Sequence, residues 1–319
     1  MKTINKKGSN KNMTEYVIET KNLTKKYKDK TVVNNINMKV EKGKIYGLLG
    51  KNGAGKTTTI RMLLNIAKKT SGEIILFGNK PNNQTYKKIG SIIETPGFYE
   101  NLTAEENLKI IAKIRENYSK ENIHKILGAL SLYDNNKKYK DFSLGMKQRL
   151  GIAAAIMHKP ELLILDEPIN GLDPIGIKEI RHLLKRLSQE NNTTILLSSH
   201  ILSEIENIAD TIGVMDKGQL ITELTKEELN KQLNKIVIIE VSNLSKSEKI
   251  LEKIGLHKGT DYKIKEPNTI YLYTNLNYRD KINEIFVKNN IKVQRLNLSE
   301  ENLEKYFTRI INQEKLLTA

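Results

Sequence analysis

The stretch Gly50-Lys51-Asn52-Gly53-Ala54-Gly55-Lys56-Thr57 has the spacing G-x-x-x-x-G-K-[ST]. Glycines there let the backbone curl so that successive N–H groups face phosphate oxygens. Lys56 brings a charge for the β- and γ-phosphates of a nucleotide, and Thr57 a hydroxyl for Mg²⁺. A helix starting at this loop would point its positive end at the same charge. Further on, "LLILDEP" delivers Asp166 at the end of an apolar run, a hard oxygen suited to Mg²⁺. Glu167 follows, where a carboxylate could polarise an attacking water as general base. Of five histidines, His200 ends the apolar run "TTILLSSH", and its strand is expected near the phosphate-loop strand. His124, His158, His182 and His257 fall in helical or polar stretches and read as surface residues. In "DFSLGMKQRLGIAAAIMHKP", Ser143 reads as a helix N-cap and Gly145 as an opening for a ligand near the backbone.

These groups need a scaffold that brings distant segments together. "EYVIETKNL" and "NNINMKV" alternate like half-buried strands, and "KIYGLLG" is a short apolar strand ending at Gly50. "KTTTIRMLLNIAKK" has helical spacing, and "GEIILFG" and "IGSIIETPGF" hold further strands. Residues from about 100 to 140 read as amphipathic helices, and 146–158 as another helix, stopped by Pro160. "ELLILDEP" and "TTILLSSH" are near-continuous apolar runs, as in strands covered on both faces. The helix "IGIKEIRHLLKRLSQE" lies between them. The alternation predicts an α/β sheet with crossover helices and chemistry at the carboxyl ends of its strands. Near residue 225 the character changes to a small α+β unit of ferredoxin-like type. Its strands are "KIVIIEV", "TIYLYT" and "IKVQRLN", with two helices between them and a final helix capped by Ser299.

The chain has 319 residues, 38% of them hydrophobic and 28% charged, enough for two domains. Its 53 basic and 37 acidic side chains give a net charge of +16, which favours an anionic neighbour without choosing one. The absence of cysteine excludes disulfides and cysteine-held metals. No apolar run approaches the roughly 18–20 residues that span a bilayer, so membrane action would go through a partner. Residues 1–14 are polar and basic and are expected to form a disordered tail.

Together the motifs resemble the ATP-binding subunit of an ABC transporter over about residues 16–220. "GKNGAGKT" is similar to the family's Walker A, "LLILDEP" to its Walker B with catalytic glutamate, "FSLGMKQ" to its signature loop, "NGLDP" to its D-loop and "SSH" to its switch histidine. The usual signature is Leu-Ser-Gly-Gly-Gln; here Phe142, Ser143, Leu144, Gly145 and Met146 stand instead. That variant, with "ETPGFYENLTAEENL" and the ending "SEENLEKYF", resembles the bacitracin-resistance and lantibiotic-immunity group.

The resemblance implies a P-loop NTPase of ABC type, with a mixed α/β sheet core over 15–225, a helical subdomain over about 95–155 and an α+β accessory domain over 226–319. It implies ATP and Mg²⁺. Nucleotide contacts would fall on Gly50, Lys51, Asn52, Gly53, Ala54, Gly55, Lys56, Thr57 and Thr58, with Tyr27 stacking on adenine. Metal contacts would fall on Thr57, Glu94 and Asp166. Glu94 stands where most of the family has the Q-loop glutamine, so a carboxylate replaces an amide. Two subunits would close head to tail, with Ser143 and Gly145 serving the partner's nucleotide. His200 would hold the γ-phosphate, and Asp173 would couple the sites. A separate permease would hold the subunit at the cytoplasmic face of the membrane, and no nucleic-acid partner is expected. The rival reading is an ABC ATPase acting on ribosomes or nucleic acid without a permease. The transported substrate and the direction of transport are not written in these residues.

Overall fold

The computed structural model describes residues 15–93, 97–115, 118–133, 137–233, 235–265, 267–274, 279–300 and 306–307. The chain divides into two units, Met1–Lys226 and Glu227–Ala319. The first unit opens with β1 (Tyr16–Tyr27), β2 (Lys30–Ile36), β3 (Lys39–Glu41) and β4 (Ile45–Leu49). Next come α1 (Lys56–Leu63), β5 (Ser71–Leu76), α2 (Asn83–Lys87) and β6 (Ile89–Ile92). The helices α3 (Ala104–Ile114), α4 (Lys120–Ala129) and α5 (Leu144–Ile156) lead to β7 (Leu162–Leu165), α6 (Pro174–Asn191) and β8 (Thr194–Ser199). The unit closes with α7 (Leu202–Glu206), β9 (Thr211–Asp216) and β10 (Gln219–Thr225), from which α8 (Lys226–Gln232) leads on.

Every residue of β4, β7 and β8 is buried. Strands this apolar are stable only where helices or another sheet cover both faces. They form the centre of a six-stranded sheet, order β10-β9-β4-β8-β7-β6, in which only the β9–β10 pairing is antiparallel. The register is what positions the chemistry. Leu49 of β4 lies opposite Ser199 of β8, and Leu165 of β7 opposite Leu197 of β8. The carboxyl ends of three adjacent strands therefore present Gly50, His200 and Asp166 side by side, as expected for an open parallel sheet.

A second, antiparallel sheet joins β1 to β2, β3 and β5. "NNINMKV", expected as one strand, is two. Asn35 takes a φ of 51°, and the Asn37 side chain accepts the Asn22 N–H at 2.9 Å. The chain thereby breaks step, and β2 and β3 pair in series with successive parts of β1. The two sheets share one core, in which Ile18, Leu23, Met38, Tyr46, Leu48, Ile60 and Leu196 are all buried.

The helices α3, α4 and α5 each start at a side-chain cap. Thr103 and Glu106 close a reciprocal capping box, and Ser119 and Ser143 accept the N–H three residues on. His158 departs from the surface position expected of it. It is half-buried beyond α5, with Nε2 3.0 Å from Arg115 Nη1 and 3.2 Å from the Ile89 carbonyl. Burial, aided by Arg115, holds its imidazole below the usual histidine range.

The second unit contains β11 (Lys235–Val241), α9 (Leu244–Lys253), β12 (Tyr262–Lys265), β13 (Thr269–Leu272), α10 (Arg279–Lys288) and β14 (Val293–Glu300). The succession β-α-β-β-α-β and the antiparallel order β12-β13-β11-β14 are those of a ferredoxin-like unit. Val237, Ile239 and Val241 alternate onto a core with Leu251, Ile282 and Phe286. Two differences from expectation stand out. "YKIK" forms β12, a strand hidden by its lysines. Ser299 pairs with Ile236 inside β14, so it does not cap a helix. Extending the ladder along β11 satisfies backbone groups that an earlier helix start would leave unpaired. Among the described residues, no helix is long and apolar enough to cross a membrane.

Candidate nucleotide site

The loop from β4 to α1 is held open by two glycines. A Cβ on Gly50 would lie 2.6 Å from the Met215 carbonyl oxygen. Gly55 takes a φ of 108° as N-cap of α1, a left-handed value, and a Cβ there would lie 2.9 Å from the Val32 carbonyl oxygen. The loop borders an open cleft of about 240 Å³ lined by Lys51 to Thr58, Val32, Glu167, Asn170 and His200.

Lys56 is 5% exposed. Its ammonium donates to the Gly50 carbonyl at 2.6 Å and the Lys51 carbonyl at 3.4 Å, and lies 3.2 Å from Glu167 Oε1. The ammonium thus has two carbonyl oxygens and one carboxylate oxygen within 3.4 Å. On the other side of the same carboxylate, His200 Nδ1 lies 2.8 Å from Glu167 Oε2. Glu167 bridges a cation and an imidazole at the rim of the cleft.

The backbone at Glu167 is itself unusual. Its φ is 50°, a left-handed conformation costing a non-glycine residue of the order of 1–3 kcal/mol. Surrounding bonds enforce it. The Glu167 N–H donates to Ser198 Oγ at 3.0 Å, and the Ser198 hydroxyl donates to Asp166 Oδ1 at 2.5 Å. Asp166 is 4% exposed, and its N–H donates to the Ile92 carbonyl at 2.9 Å. One serine on β8 thus fixes both acids at the end of β7.

Not every predicted residue enters this cleft. Tyr27 sits 48% exposed at the end of the β1–β2 hairpin, with Lys25 Nζ 4.5 Å above its ring, and does not line the cleft. Ser143 caps α5 through the Met146 N–H at 3.3 Å, and neither it nor Gly145 lines the cleft. Gly145 instead faces Leu172, whose Cδ2 lies 3.2 Å from where a Cβ would stand. Asp173 caps α6, accepting the Gly176 N–H at 2.7 Å. Glu94 lies outside the described residues. Val32 and Asn170 line the cleft without having been predicted. Asn170 stands three residues after Glu167 in a turn closed by its N–H on the Glu167 carbonyl, and that proximity was the available signal. Ser198, Ser199 and Glu204 form the supporting polar network; the serines fell inside "SSH" only as neighbours of His200, and Glu204 gave no motif-level signal.

The pattern of the ABC transporter family matches residues 33–170. The bacitracin transport ATP-binding protein BcrA of Enterococcus faecalis is 56% identical over 93% of this chain and 97% of its own length. BcrA of Bacillus licheniformis is 47% identical over 92% and 97%. The lantibiotic transport ATP-binding protein SrtF of Streptococcus pyogenes is 44% identical over 70% of this chain and 99% of its own. A solved ATP-binding subunit of an ABC transporter superposes with a TM-score of 0.61 at 29% identity, covering 68% of this chain and 92% of that one. With the Gly50–Thr57 loop, the Asp166–Glu167 pair and His200 at three adjacent strand ends, and relatives matched almost end to end, the chain belongs to the ABC transporter ATP-binding family and is a P-loop ATPase.

Proposed function

We propose that this ATPase powers a separate membrane permease that exports, or gives immunity to, a peptide antibiotic of bacitracin or lantibiotic type. The observation that carries the catalytic part is the meeting of Lys56, Glu167 and His200 at one cleft. The antibiotic class rests on the relatives named for bacitracin and lantibiotic transport. Those relatives favour this reading over one directed at ribosomes or nucleic acid. A permease would anchor the subunit at the cytoplasmic face of the membrane.

In this reading Gly50 to Thr58 cradle the phosphates of ATP, and Lys56 exchanges its carboxylate partner for them. The exchange frees one oxygen of Glu167 to take a proton from the attacking water, while His200 keeps the other. Among the described residues, no cluster of three or more acidic, histidine or cysteine side chains could by itself hold a metal. The Thr57 hydroxyl and the Asp166 carboxylate are oxygen donors of the kind Mg²⁺ prefers when phosphates complete its shell. When bound, the ion would neutralise charge on the transferred phosphate. Glu94 would add a metal-sensing carboxylate at the permease side, and Tyr27 would stack on adenine. Two chains would close head to tail as a homodimer or with a paired ATP-binding subunit. Ser143 and Gly145, outside their own cleft, would then complete the partner's, and Asp173 would couple the two.

Ser143→Arg tests the arrangement in trans. Hydrolysis should be abolished while one chain's affinity for ATP stays within about twofold of native, because the serine serves the other site. Loss of affinity in the isolated chain would contradict the arrangement. The antibiotic class is tested by growth. Cells expressing the chain with its permease should tolerate more bacitracin or lantibiotic than cells expressing Glu167→Gln, and equal sensitivity to both compounds would contradict it.

A further inference from the structure

Two consecutive serines end β8, and their side chains leave opposite faces of the strand. Ser198 serves the cleft, through Asp166 and the Glu167 N–H. Ser199 turns away from it. Its hydroxyl donates to Glu204 Oε2 at 2.8 Å and accepts the Ile201 N–H at 2.9 Å. Ser199 is 1% exposed and Glu204 7%, and neither lines the cleft. A buried carboxylate is costly, and its retention calls for a reason. Burial, and then the nearby charge of Glu167, push its carboxyl above the usual carboxylate range, while the Ser199 hydrogen bond, His200 and Arg181 act against them.

The geometry points to the reason. The residues between β8 and α7 are His200 and Ile201. Ile201 occupies the N-cap of α7 and offers no capping side chain, so this five-residue helix cannot hold its own start. Ser199 accepts the N–H of Ile201, the N-cap residue, and ties that turn to the Glu204 side chain inside the helix. We infer that Glu204, acting through Ser199, is a positioning residue that clamps the β8–α7 link and aims the imidazole of His200. This rests on the reading of His200 as the group on the γ-phosphate. Glu204 itself does not line the cleft. Its removal should let the link relax, moving the imidazole relative to Glu167 without disturbing the phosphate loop.

The test is steady-state ATPase kinetics of the full chain with Glu204→Ala, Glu204→Gln, Ser199→Ala, His200→Ala and the double variant His200→Ala/Glu204→Ala. Glu204→Ala and Ser199→Ala should each lower kcat roughly 10- to 100-fold, as displacements of an ångström do. KM for ATP should stay within about twofold, a split that a general loss of fold would not give. Glu204→Gln keeps an acceptor oxygen for Ser199 and should recover kcat to within about threefold of native. The double variant should be no slower than His200→Ala, because the two act as one unit. Should Glu204→Ala fail to bind ATP, Ser199→Ala decides alone. Native kcat in Ser199→Ala, or a double variant slowed by the product of the single effects, would overturn the clamp. Native kcat in His200→Ala would instead remove the role of the histidine on which the clamp depends.

Discussion

Glu167→Gln should bind ATP at least as tightly as the native chain and turn it over about 10²- to 10⁴-fold more slowly, the range a positioned general base contributes. Both halves follow from the two partners of this carboxylate. It lies 3.2 Å from Lys56 Nζ, so it competes with phosphate for the same ammonium. An amide removes the competitor's charge and leaves the lysine to the nucleotide. It also keeps the shape of the side chain and an oxygen toward His200, but it cannot accept a proton from water at neutral pH. The measurement is single-turnover hydrolysis beside equilibrium binding of a fluorescent ATP analogue. Near-native turnover would move the proton acceptor elsewhere, with His200 the first candidate by position.

Lys56→Ala should fail at the preceding step. Its ammonium is the one lysine group among the cleft-lining residues held by buried contacts, and it already makes the charge-assisted bonds that phosphates would take over. Such bonds are worth about 1.5–3 kcal/mol each, so affinity for ATP should fall roughly 10- to 100-fold. The loss should be larger for ATP and ADP than for adenosine, which lacks the phosphates the lysine meets. A variant with native ATP affinity would mean that the backbone amides and helix α1 suffice, and that Lys56 chiefly keeps Glu167 in place. The two substitutions therefore separate the two ends of one ion pair. One slows chemistry with binding intact, and the other weakens binding first.

The chemistry was largely legible before the fold because it is carried by local spacing. Gly50 to Thr57 must lie together in the chain to wrap a phosphate, and Asp166 with Glu167 must end an apolar run to emerge from a buried sheet. Residues that act by tertiary proximity left no such trace. Ser198 and Ser199 look alike in "LLSSH", and only the sheet shows one facing Asp166 and the other Glu204. Glu204 lies in the five-residue helix "LSEIE", and only the fold shows it buried. His158 likewise sits in an unremarkable "MHKP" and is claimed by Arg115 and the Ile89 carbonyl from distant segments.

The element pattern shows the same division. Continuous apolar runs gave β4, β7 and β8 their correct character, because burial on both faces favours apolar residues and admits polar ones such as Ser198 and Ser199 only where they find partners. The strand β12 was missed because its outward lysines break the apolar pattern. The ends of β2 and β3 depend on asparagine side chains bonding a neighbouring strand, which alternation cannot reveal. Ser299 carried a capping pattern that strand pairing with β11 overrode, a case of tertiary structure outweighing local preference.

The central claim is that ATP closes two chains on each other, each site being finished by the other's signature loop. Light scattering on Glu167→Gln tests it most directly, because that variant should hold ATP without consuming it. With ATP and Mg²⁺ the mass should rise to twice the 36.5 kDa of one chain, and it should stay at one chain with ADP. Adding Ser143→Arg to the same variant should keep it a monomer in ATP. A Glu167→Gln chain that remains a monomer at saturating ATP, or one whose dimer survives Ser143→Arg, would contradict the account.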